Sequence, residues 1–156
     1  MRRNAAYTPK VSVQNAVRPL LGRKYKLGGN GTPGGEPFDC FGLVVEYSNL
    51  RYSTNILAVH SESGYDFDSY AGSYAIDATL AKGMFKKYLD KFFLKMALGF
   101  IRAGDLLWCS LDGDEFAGIY AGLQKIIVTT PDTGCMSIGT EHYVKKDAYR
   151  CPLLSL

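Results

Sequence analysis

Histidine is scarce in this sequence: His60 and His142 are the only two in 156 residues. Its four cysteines, Cys40, Cys109, Cys135 and Cys151, are widely spaced and form no C-x-x-C pair. A tetrahedral zinc site usually draws on such pairs together with histidine, so neither a metal centre nor another cofactor is expected. The same spacing gives no disulfide framework, and the cysteines read as reduced thiols. No apolar run approaches 18 residues, which argues against a membrane-spanning helix. No apolar stretch comes after the basic start Met1-Arg2-Arg3-Asn4, so a secretory signal is not expected. The glycine-rich stretch 28–35 is not followed by Lys-Ser or Lys-Thr, so the phosphate-binding P-loop pattern fails.

Acidic residues are missing from the first 35 positions, which carry seven Arg or Lys. The other 121 residues hold 11 basic and 15 acidic groups, so the net charge of +3 conceals an asymmetry. A basic arm suits an acidic partner protein, an acidic membrane surface or nucleic acid, and equally a solvated terminus. Nucleic acid ranks last, because no aromatic stacking platform accompanies a nucleic-acid motif. Residues 1–10 are therefore read as a basic N-terminal arm, with Arg2, Arg3 and Lys10 directed at acidic groups of a partner. Residues 11–156 are read as a single domain, of a length that buries a real core.

What the sequence does contain is centred on Phe38-Asp39-Cys40-Phe41-Gly42-Leu43-Val44. Glycines cannot propagate a helix and Asp39 is a good N-cap, so a helix is expected from Cys40 to about Tyr52. A thiol in the first turn meets the positive end of the helix dipole, which favours the thiolate. Two readings stand side by side: an activated nucleophile, or a small buried apolar side chain.

Upstream, Val13, Ala16, Val17, Leu20 and Leu21 recur with helical spacing, with Pro19 restricting the helix and Gly22 stopping it. Downstream, residues 53–77 are polar and irregular and read as a long surface excursion. A second helix is expected over 78–97, where Leu80, Met84, Phe85, Tyr88, Leu89, Phe92, Phe93 and Met96 fit the 3.6-residue period and lysines mark a solvated face. Strand rhythm then takes over at 104–110, 116–121, 125–130, 135–138 and 148–153, with an Asp112-Gly113 turn after the first strand. Helices first and a meander of strands after them predict an α+β domain, N-terminal helices packed on a small antiparallel sheet of about five strands.

Five short stretches carry a family resemblance: Leu21-Gly22, Tyr25-Lys26-Leu27-Gly28-Gly29, Asp39-Cys40-Phe41-Gly42-Leu43-Val44, Gly104-Asp105-Leu106 and Phe116-Ala117-Gly118-Ile119-Tyr120. In this order they resemble the NlpC-type cell-wall peptidases, a papain-like family of cysteine hydrolases. The closing Tyr149-Arg150-Cys151-Pro152 resembles the phage-tail branch of that family. The resemblance implies Cys40 as nucleophile, a histidine base on the neighbouring strand, and an orienting polar residue twelve positions later. Anchored on Gly118-Ile119-Tyr120, those positions are Phe116 and Val128, and the serine after the nucleophile is Phe41. Neither Phe116 nor Val128 takes a proton. His60 and His142 fall outside the pattern, though the excursion carrying His60 is long enough to fold back toward Cys40.

The resemblance therefore implies a degenerate NlpC-like domain in which Cys40 is kept and performs no chemistry. Its expected role is structural or adaptor, in a bacteriophage tail tip or baseplate, with other tail proteins as partners. Family members that act on the wall from outside usually bring a signal peptide or wall-binding repeats, so the expected location is the virion, after synthesis in the host cytoplasm. The alternative is an active cysteine endopeptidase or amidase that cuts peptidoglycan stem peptides with Cys40.

Overall fold

The computed structural model describes residues 9–26, 38–52 and 78–151, without the side chains of 78–81. Residues 1–8 of the arm, the glycine-rich stretch 28–35, the excursion 53–77 with His60, and Pro152 onward lie outside the described residues.

Helix α1 is short, Val13–Val17, and Ser12 caps it by accepting the Asn15 amide at 3.1 Å. Pro19 confines its continuation to a 3-10 turn, Arg18–Leu20, and Gly22 ends the run at φ +84. Helix α2 spans Cys40–Tyr52, and helix α3 spans Ala78–Phe92. The expected helix over 78–97 is thus too long. Phe93 donates the closing helical bond to Leu89, and Leu94–Met96 instead forms strand β1. The apolar period does run on to Met96, but pairing with the last strand of the sheet supplies Leu94–Met96 with backbone partners that override it.

The remaining strands are β2 (Leu106–Leu111), β3 (Asp114–Gly122), β4 (Lys125–Thr130), β5 (Gly134–Gly139) and β6 (Val144–Arg150). They form one antiparallel sheet in the order β1-β6-β2-β3-β4-β5, six strands where about five were expected. Asp112 and Gly113 turn the β2–β3 hairpin with φ of 51 and 88, the positive values that a tight hairpin needs. The architecture is α+β, with helices gathered on one face of the sheet.

Period-two alternation divides the interior in two. Leu106, Trp108, Ala117, Ile119, Ile127 and Tyr149 face α2 and α3, packing with Leu43, Val44, Tyr47, Phe85, Tyr88 and Leu89. On the far face Leu107, Cys109, Tyr120, Ile126, Val128 and Ala148 make a second cluster. Gly118 lets β3 and β4 approach closely, since a Cβ there would sit 2.7 Å from Ile126 and 2.8 Å from the Ile127 carbonyl.

A polar clasp fixes the start of β2 to the end of β6. Arg150 donates from Nε and Nη2 to Asp105 at 2.8 and 2.7 Å, and the Arg102 amide adds a third bond at 2.9 Å. Asp105 is buried, and the fork-on-fork geometry is the strong form of this ion pair. Gly104 beside it has φ +96, and a Cβ there would stand 3.1 Å from both the Tyr47 hydroxyl and Val13. The Gly104-Asp105 pair therefore has a structural reason at each position.

Candidate active site

Cys40 opens α2 as the sequence requires. The Asp39 carboxylate accepts the Gly42 amide at 2.9 Å, and its carbonyl accepts the Leu43 amide at 2.8 Å. This is an N-cap at work. A parallel bridge between Tyr25 and Phe38 positions the entry to the helix from behind.

The electrostatics oppose a thiolate. Cys40 is buried, and burial together with the neighbouring Asp39 carboxylate pushes its pKa up to about 12. The Ala117 backbone hydrogen bond, the charge of Lys82 and the Cys40 amide pull the other way and do not compensate. Desolvation outweighs the helix dipole. Tyr25 lies close enough to feel both Cys40 and Asp39; burial and those two groups raise its phenol to about 12. At neutral pH the site is thus a protonated thiol, a neutral phenol and a capped carboxylate.

The structure does not bring Val128 to Cys40. Val128 belongs to the far-face cluster, whereas Cys40 belongs to the cluster under the helices. Phe116 touches both clusters, yet its ring packs edge-on against Tyr143 at 4.9 Å, and its strand partner Cys109 is a far-face residue. The reason is the alternation of side chains along a strand: one step moves a residue to the other face. The pair one residue later, Ala117 and Thr129, keeps the spacing of twelve and lies on the face that carries Cys40. Ala117 has no side-chain polar atom, and the Thr129 hydroxyl is buried without a hydrogen-bond partner among the described residues. Neither register supplies a base.

Phe41 has a different job from a serine. Its ring meets Phe85 at 4.8 Å and Tyr88 at 5.1 Å, both edge-to-face, and Phe85 in turn meets Trp108 at 5.5 Å. The residue after the candidate nucleophile thereby locks α3 onto α2 and the sheet. His142, the one histidine among the described residues, is exposed on the turn Thr140–His142 and lies 3.7 Å from Glu141. Lys10 is exposed, and its amide bonds the Arg51 carbonyl at 2.7 Å, so the root of the arm is tied to the end of α2. Arg2 and Arg3 lie outside the described residues. Sequence reasoning assigned no role to Tyr25, Lys82 or Thr129; the Tyr-x-x-Gly-Gly motif pointed at the first, whereas only the fold reveals the other two.

No protein-family model matches this chain, and no curated protein does. Among solved structures it is similar to the crystal structure of the NlpC/p60 domain of the peptidoglycan hydrolase SagA, with a TM-score of 0.55 and 17% sequence identity. That likeness covers 90% of this chain and 99% of the other. The fold is of the papain-like NlpC type. Among the described residues no helix is long and apolar enough to cross a membrane.

Proposed function

We propose that this chain is a catalytically degenerate NlpC-like domain serving as a structural or adaptor component of a bacteriophage tail tip or baseplate. The observation that carries the degenerate half is Cys40 itself, a buried thiol held protonated at neutral pH, with no imidazole among the described groups that act on it. Without a base and an orienter a cysteine site loses orders of magnitude in rate. Phe41 converts the position beside the nucleophile into core, and Phe116 and Val128 offer nothing that takes a proton. The phage-tail half rests on the resemblance of Tyr149-Arg150-Cys151-Pro152, an analogy at the level of family branch. In this reading the partners are other tail proteins, the basic arm with Arg2, Arg3 and Lys10 engages acidic groups on one of them, and the protein resides in the virion.

One observation favours a second reading, an active endopeptidase or amidase on peptidoglycan stem peptides. The solved domain that this chain resembles comes from a peptidoglycan hydrolase, and in this chain a cysteine opens the helix packed on the sheet. A zymogram on purified cell walls, wild type beside Cys40→Ala, separates the two. The structural reading expects no clearing by either protein, and clearing that depends on Cys40 would overturn it. Co-purification of the protein with tail particles tests the second half independently.

A further inference from the structure

Away from Cys40, a cleft of about 180 Å³ opens between the end of α2 and the start of β2. Arg51, Arg102 and Arg150 line it, and Asp105 is its one acidic residue. Both Asp105 oxygens are already taken, one by Arg150 Nε and the other by Arg150 Nη2 and the Arg102 amide. That carboxylate neutralises Arg150 and leaves the other two guanidinium groups without an acidic partner. Arg51 gives one nitrogen to the Val11 carbonyl at 2.6 Å and has no carboxylate within ion-pair distance among the described residues. The Arg102 side chain is exposed, and among the described residues it has neither a hydrogen bond nor an ion pair.

A second feature lies behind the lining. The Tyr47 hydroxyl is buried and has no hydrogen-bond partner among the described residues. It lies behind Gly104, a lining residue whose Cβ would stand only 3.1 Å from it, and it is within electrostatic reach of Arg51, Cys151 and Asp105, which line the cleft as Tyr47 itself does not. A buried hydroxyl left without a partner is costly, and native proteins rarely leave one. Two guanidinium groups without a counterion among the described residues border a space too small for a drug-sized molecule but suited to a single anionic group.

We propose that this cleft is an oxyanion-binding site that takes a phosphate group, held by Arg51 and Arg102. A doubly charged phosphate matches the two guanidinium charges that Asp105 does not neutralise, and its several acceptor oxygens match the fork of donors better than one carboxylate does. The site is remote from Cys40 in sequence and chemistry, and it stands whether or not the domain is catalytic.

The test is a titration of the full chain with inorganic phosphate, monitored by phosphorus NMR and thermal melting, with chloride at matched ionic strength and acetate as comparisons. Saturable binding and a rise in melting temperature are expected with phosphate alone. Arg102→Gln, an exposed change that spares the fold, is expected to weaken binding about tenfold, the loss of one charge-assisted contact. Unchanged affinity in Arg102→Gln, equal saturation by acetate, or no effect beyond that of chloride would each overturn the proposal.

Discussion

Two carboxylates are buried just ahead of secondary-structure elements, Asp39 before α2 and Asp105 before β2, and they are put to opposite uses. Asp105 faces a guanidinium that meets it with two nitrogens, and the pairing holds the Arg150 pKa above its usual value. Asp39 faces a helix start and, beside it, a thiol whose ionised form it opposes. The first arrangement turns a buried charge into a fastening between β2 and β6. The second commits the positive end of the helix to the cap, and what remains to favour a thiolate does not offset burial and the Asp39 charge. Motif residues that fold the chain have kept a physical reason to be there; the residue that would perform chemistry sits in surroundings that suppress it.

The sharpest way to break this comparison is to place a small polar residue beside Cys40. Phe41→Ser removes a ring that packs on Phe85 and Tyr88 and is almost wholly buried. Large-to-small changes of this kind in a core cost about 4 kcal/mol, and the new hydroxyl gains no partner there. Chemical denaturation should show that loss, and wall clearing should still be absent. A stable variant that clears cell walls would mean that Phe41 was masking a working site.

Asp105→Asn tests the other half. It keeps the shape and removes the charge, leaving Arg150 partly buried without its counterion. Breaking a buried pair costs roughly 3–5 kcal/mol, and because the Arg150 side chain keeps 20% of its exposure the lower end, about 3, is expected. Urea unfolding measures it. A loss under about 1 kcal/mol would show the clasp to be no stronger than a surface ion pair.

These effects explain which parts of the molecule were legible from the sequence. The start of α2 was, because a capping aspartate after glycines leaves the chain one local choice. Most of the sheet was, because alternating apolar residues bounded by Asp112-Gly113 and similar turns have few other readings. Leu94–Met96 was not, since its strand exists only through pairing with β6, a contact 50 or more residues away in the chain. Placing Val128 beside Cys40 failed for a related reason. A motif fixes a position along a strand, but which face that position shows depends on a register counted to a single residue. The rise in the Cys40 pKa was only half legible: burial could be anticipated from apolar neighbours, but the part played by Asp39 is a matter of distance.

The smallest effect expected is on Cys40. Cys40→Ala removes one buried sulfur and should cost about 1 kcal/mol at neutral pH, where the thiol is neutral in both folded and unfolded chains. Its consequence appears at alkaline pH. The folded pKa of Cys40 is raised to about 12 from a usual 9.0, so the unfolded chain releases the proton first. The stability tied to the neutral thiol is complete below about pH 9 and is lost as pH rises toward 12. Cys109, Cys135 and Cys151 are raised to about 12 as well, so the wild type should unfold steeply in that window. Cys40→Ala removes one of the four thiols from that titration, and the slope of unfolding free energy against pH should become shallower by about one proton, or about 1.4 kcal/mol per pH unit. Alkylation obeys the same logic, with Cys40 reacting slowly at pH 7 in the folded protein. Fast labelling of Cys40 at pH 6 would place a thiolate in the site, and an unchanged slope in the variant would show that its folded pKa is not raised; either would reverse the contrast with Asp105.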